Sequence, residues 1–227
     1  MNAPVAARSL SAECLGTAAL LAVVVGSGIM GERLAGELAN SAAIALLANS
    51  LATVGGLFVL IWLFAPLSGA HFNPLVSAAE RAAGRQCTRL TAAYWLVQVL
   101  GAIAGVLIAH AMFDLPLLQA STKVRTGAAQ WIAEGVASFG LLLVIGLSAK
   151  ETAATVAARV ACYIGAAYWF TASTSFANPA VTLARAFTDT FAGIRLIDVP
   201  MFVVAQCVGA AGGSWVARWF NRQSIGK

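Results

Sequence analysis

Charge is scarce in this chain. Lys and Arg number 14 and Asp and Glu 9 among 227 residues, so charged residues make up 10%. A soluble domain needs more polar surface than that, and here 60% of residues are apolar and the mean hydropathy is +0.83. Histidine is nearly missing, with two residues, which speaks against a metal site. The four cysteines are scattered, with no Cys-x-x-Cys pair and no clustered His. Cys14, Cys162 and Cys207 lie in apolar runs and are expected in the core. There is no nucleophile–base constellation and no cofactor motif, so neither an enzyme nor a cofactor is expected. The net charge of +5 suits cytoplasmic loops of a membrane protein better than a nucleic-acid surface. A cleavable signal peptide is not expected, since the first apolar run is long and carries Glu13.

What the chain has is apolar length. Six runs approach the roughly 20 residues that cross a bilayer. They fall at about Leu10–Met30, Ala42–Phe64, Leu90–Met112, Ala128–Leu147, Val156–Thr171 and Val199–Phe220. Gly31–Ser41, with Glu32, Arg33 and Glu37, reads as a loop. The expected fold is an all-α membrane protein with a single domain over 1–227.

Two turns stand between these runs. One is Ser68-Gly69-Ala70-His71-Phe72-Asn73-Pro74-Leu75-Val76; the other is Ser175-Phe176-Ala177-Asn178-Pro179-Ala180-Val181. Asn is a favoured N-cap, and Pro suits the first helical position because its missing N–H would be unpaired there. Each turn therefore opens a short helix, over about Pro66–Ala83 and from Asn178 to about Phe187. Broken backbone at membrane depth is tolerated only inside protein or along a water-filled cavity. Two such breaks in corresponding halves mark a transport site.

The halves match residue by residue, over pseudo-repeats of about 10–113 and 128–221. Glu13 begins the first span and Glu134 the fourth. Asn73 follows the second span and Asn178 the fifth. Gln98 and Gln206 occupy like places in the third and sixth. Three spans per half give the halves opposite orientations, an inverted 3+3 repeat whose two re-entrant half-helices meet near the midplane. Nine Lys and Arg on one side against five on the other place both termini in the cytoplasm.

These turns, with Glu13, Glu134 and Gln98, resemble the signature loops and bracing residues of the aquaporin family, also called major intrinsic proteins. The resemblance covers nearly the whole chain. It implies a passive pore in each subunit of a plasma-membrane homotetramer, moving water, glycerol and other small neutral solutes. It implies that Asn73 and Asn178 point amide N–H groups into the pore. Glu13, Glu134, His71 and Gln98 would brace the loops, and no metal would be bound. Facing half-helix N-termini would oppose cations and protons.

Two departures stand out. The first signature reads Asn73-Pro74-Leu75, where Ala is usual third, so Leu75 adds bulk between the half-helices and should repack them locally. After Asn178-Pro179-Ala180 comes Val181, where most of the family has an Arg that walls the selectivity filter. Arg185 lies one turn further and is not expected to replace it. Counting from the two Asn residues puts the rest of the filter at Thr53, Ala166 and Ser175. Such a filter is small-sided and uncharged, hence wide, and weakens proton exclusion without abolishing it. Wide-filter relatives pass urea, glycerol and undissociated metalloid acids. The chain looks closest to a bacterial subgroup that lacks the filter Arg and is associated with arsenicals, methylated ones included.

The rival reading is a proton-coupled secondary transporter that uses Glu13 and Glu134 as carriers, since an intramembrane acid is by default a functional site. A closed-pore structural protein is a second rival, but Thr53, Ala166 and Ser175 offer no plug.

Overall fold

The computed structural model describes residues 3–36 and 41–223. Eight α-helices run in chain order: α1 Ala3–Ala35, α2 Ser41–Ser68, α3 Pro74–Ala82, α4 Thr88–Met112, α5 Ala128–Leu147, α6 Ala153–Phe170, α7 Pro179–Ala184 and α8 Val199–Gln223. Six are long and apolar enough to span a membrane. The other two, α3 and α7, are the half-helices.

Most span limits lie within a few residues of those read from hydropathy. Two differ more. Helix α1 continues through Glu32 and Arg33, whose charged ends bond to other loops: Arg33 Nη2 donates to the Phe113 carbonyl at 2.6 Å and Phe191 N donates to Glu32 Oε2 at 2.8 Å. Pro66 lies in the last turn of α2, so the first half-helix begins at Pro74. Glu37 and Lys227, used in the loop and charge counts, lie outside the described residues.

Helix packing follows the repeat. Helix α1 packs against α2 and α4, and α5 against α6 and α8. The halves join where α2 meets α6, and each half-helix also lies on the opposite half's last span, α3 on α8 and α7 on α4. Small residues permit the tightest crossings. A Cβ added at Gly101 would stand 2.3 Å from the Cys14 carbonyl oxygen, and one at Gly209 only 2.0 Å from that of Gly135. Each glycine falls three residues after a repeated glutamine, Gln98 or Gln206, and a second glycine follows four later at Gly105 and Gly213.

The cysteines depart from expectation. Cys162 and Cys207 are exposed and Cys14 is half-buried. A span in lipid can be apolar on every side, so hydropathy does not separate the core face from the lipid face.

Candidate functional site

The two Asn-Pro turns have the same backbone. Ala70 and Phe72, three and one residues before Asn73, have φ of 50° and 47°. Ser175 and Ala177, equally placed before Asn178, have φ of 51° and 47°. None is glycine, so each is held in a left-handed conformation that costs on the order of 1 kcal/mol.

Buried carboxylates hold them there. Glu13 Oε1 accepts from His71 N at 2.9 Å and Ser68 Oγ at 2.6 Å; its Oε2 accepts from Phe72 N at 2.7 Å and Gln98 Nε2 at 2.8 Å. Glu134 takes Phe176 N and Ala177 N, each at 2.9 Å, and Gln206 Nε2 at 2.5 Å. Both acids are wholly buried. Charge-assisted bonds of this kind are the strong ones, and they offset the backbone strain.

Sequence reasoning did not place Ser68 or Gln206 in these sets, and it missed a hydroxyl in each half-helix. Gln98 Nε2 also donates to Ser77 Oγ at 3.0 Å, and Gln206 Nε2 to Thr182 Oγ1 at 2.8 Å. Ser77 and Thr182 lie one turn into α3 and α7, four residues after each Asn, and both are wholly buried. A hydroxyl at that repeated spacing was the signal. His71 bonds Ser77 Oγ through Nδ1 at 3.0 Å and packs edge-on against Tyr94.

The half-helices meet end to end. Asn73 Oδ1 caps Leu75 N at 2.9 Å, and Asn178 Oδ1 caps Ala180 N at 3.0 Å and Val181 N at 3.3 Å. Each amide nitrogen crosses to the other loop: Asn73 Nδ2 donates to the Ala177 carbonyl and Asn178 Nδ2 to that of Phe72, both at 2.8 Å. One N–H of each amide is thus spent on the partner loop, and one is left. Leu75 is buried in the apolar core.

Beside this junction lies a cavity of about 120 Å³. Asn73, Asn178, His71, Thr53, Ser175 and Val181 line it, with apolar side chains of α1, α2, α5 and α6. Ala166 does not. On α6 the cavity face is Val156, Val160, Ile164 and Tyr168, spaced by four. Ala166 stands two residues from both Ile164 and Tyr168, about 200° round the helix. It is exposed on the far side with Cys162 and Trp169. Tyr168, two residues further on, lines the cavity, and its hydroxyl pairs with Thr53 Oγ1 at 3.2 Å. The wall therefore carries an aromatic ring, which the sequence count excluded. Ser175 Oγ is buried and has no hydrogen-bond partner among the described residues. Arg185, not expected there, also lines the cavity, at 2% exposure.

The comparisons with known proteins fit this geometry. Residues 1–170 match the family model described as Major intrinsic protein. The chain belongs to the major intrinsic protein (aquaporin) family. Aquaglyceroporin AqpS of Rhizobium meliloti (strain 1021) is 54% identical over 212 residues, 93% of this chain and 89% of that protein. Probable aquaporin TIP2-2 of Oryza sativa subsp. japonica is 29% identical over 226 residues, 93% of this chain and 86% of that one. Among solved structures, the aquaglyceroporin from Plasmodium falciparum matches in fold, with a TM-score of 0.70 at 22% identity over 92% of this chain and 94% of its own. As a major intrinsic protein, the chain is a multi-pass membrane channel for small neutral solutes and not an enzyme.

Proposed function

We propose that this channel passes neutral solutes larger than water, glycerol and urea among them, with undissociated or methylated metalloid acids such as arsenicals at the upper end and water also admitted. Thr53, Tyr168, Ser175 and Val181 form the filter. Val181 is the observation that carries the reading: an aliphatic side chain, 5% exposed, lines the cavity at the position after the second signature. The likeness to aquaglyceroporin AqpS supports it. So does the free Ser175 hydroxyl, which offers a solute one polar contact on a largely apolar wall. Tyr168 makes the filter narrower than one built on alanine would be.

The bonds around Glu13 and Glu134 weigh against a proton-coupled transporter. Each acid accepts two backbone N–H groups, and protonation would break bonds that hold the loops. On this reading the 113–127 and 188–198 loops face outward, both termini are cytoplasmic, and the subunits assemble as a plasma-membrane homotetramer.

Proteoliposomes test the reading. Light scattering follows water, glycerol and urea, and separate uptake assays follow inorganic and methylated arsenicals. The wild type should pass the larger solutes, and Val181→Arg should cut their flux by roughly tenfold, the effect of about 1.4 kcal/mol of added barrier. A wild type that passes only water, unchanged by Val181→Arg, would remove Val181 from the filter.

A further inference from the structure

The chain lacks an arginine at the usual filter position but holds two beside it. Arg125, in the loop before α5, and Arg185, in the 3-10 turn after α7, both lie over the ring of Phe176, with guanidinium carbons 4.9 and 3.4 Å from its centroid. Both are buried, at 8% and 2% exposure. Their bonding differs. Arg125 is spent: Nε donates to the Gly193 carbonyl, Nη1 to that of Ser173 and Nη2 to that of Phe191. Arg185 uses only Nε, which donates to the Ala192 carbonyl. Its two terminal nitrogens make no hydrogen bond among the described residues, and no carboxylate pairs with it. Of the two, only Arg185 lines the cavity.

Glu134, already bonded to the 176–177 backbone, acts on Arg185 only from beyond ion-pair distance, and a buried cation with no carboxylate in contact is costly unless something uses its charge. Here the unspent fork belongs to a side chain of the solute pathway. Val181 and Arg185 are four residues apart along α7 and its 3-10 extension, one turn, so both can face the same cavity. Ser175, whose hydroxyl also lacks a partner among the described residues, precedes Phe176 directly.

We propose that Arg185 sets the charge selectivity of this channel, one turn along from the position where the family carries its arginine. Its fixed charge keeps protons and cations out of a filter that Val181 leaves apolar. Its terminal N–H groups, with the Ser175 hydroxyl, receive the polar oxygen of a passing solute: a carbonyl, a hydroxyl or the oxo group of an undissociated acid. The inference rests on the channel reading above and replaces the expectation that the missing filter arginine leaves proton exclusion weakened.

The test is the ratio of proton flux to urea flux in proteoliposomes, with proton entry read by a trapped pH dye under a potassium diffusion potential. Arg185→Gln should raise that ratio on the order of tenfold, since a unit charge a few ångströms from the path is removed. Arg185→Lys keeps a charge there and should hold the ratio near wild type. An Arg185→Gln ratio equal to wild type overturns the proposal, and so does an Arg185→Lys ratio as high as that of Arg185→Gln. If Arg185→Gln does not assemble, Arg185→Lys decides alone: a ratio within about twofold of wild type supports a charge role, and a higher one refutes it. Failure of both to assemble makes Arg185 a brace for the Ala192 loop and refutes it too. A wild type that passes no urea overturns the channel reading itself, a different result from any of these.

Discussion

At the residue scale, the cavity wall carries one side chain, Tyr168, that counting along the chain did not find. Thr53 and Ser175 were reached by counting from the two Asn residues and Val181 as the residue after the second signature, and all three line the cavity. Ala166 was reached by the same arithmetic and faces away. A count from Asn178 holds across the 171–178 loop only if that loop has a fixed length. A helix turns about 100° per residue, so an offset of two residues reverses the face. Periodicity within α6 was the better guide, because Val156, Val160, Ile164 and Tyr168 form an unbroken i, i+4 row. Tyr168→Ala should raise the glycerol-to-water permeability ratio by roughly tenfold, about 1.4 kcal/mol of barrier, in stopped-flow light scattering. Tyr168→Phe keeps the ring and loses only the Thr53 bond. It should keep the wild-type ratio at a cost of about 1 kcal/mol in stability. Equal ratios for Tyr168→Ala and wild type would put the constriction elsewhere.

At the element scale, the helices were legible because the spans are long, apolar and closed by polar turns. Their limits blurred where capping and charge disagree with hydropathy, as at Pro66 and at Glu32 and Arg33. The crossings were legible only in part: Gly101, Gly105, Gly209 and Gly213 stand at repeated spacing, but which carbonyl each meets is a matter of packing. Gly209→Ala would drive a Cβ into the Gly135 carbonyl, 2.0 Å away. Such overpacking costs typically 1–3 kcal/mol. The folded fraction surviving heat in detergent, read by size exclusion, should fall. Gly55→Ala makes the matched control, since its Cβ would meet nothing within 4 Å. It removes a helix penalty of up to about 1 kcal/mol and should be neutral or stabilising.

Loops are elements too, and one of their ties responds to acid. Asp189 accepts from Thr122 N at 2.8 Å and Thr122 Oγ1 at 2.9 Å. Those donors hold its carboxyl below the usual carboxylate range. A lowered folded value means the tie is at full strength above the unfolded value of about 3.9 and is lost as pH falls through the folded one. Amide exchange at Thr122 should be slower than in Asp189→Ala at about pH 6, and the difference should close only as pH falls through the lowered folded value of Asp189. Equal exchange in the two proteins at about pH 6 would mean that the loops are joined without Asp189.

At the scale of the whole molecule, the repeat was the clearest message of the sequence, and it extends below the level of helices. The same backbone angles, carboxylate contacts and glutamine-to-hydroxyl bonds occur in both halves. Large apolar side chains such as Leu15, Leu51, Leu63, Trp95 and Trp215 remain exposed on the outside. Lipid and neighbouring subunits are what such a surface suits. Native mass spectrometry from mild detergent should find about four times the 23.3 kDa of one chain. A dominant single-chain mass in gentle conditions would remove the tetramer.

The crossed ties between the Asn-Pro turns have a kinetic consequence. Asn73 and Asn178 each fasten to the opposite loop, and each loop is pinned to a buried carboxylate, so the wall at the junction has no part that must swing for a solute to go by. A path without a moving step has no turnover number. Flux should rise in proportion to the concentration difference and show no saturation within the solubility of the solute. Labelled glycerol should exchange between equal pools as fast as unlabelled glycerol runs down a gradient, with neither side hastened by what waits on the other.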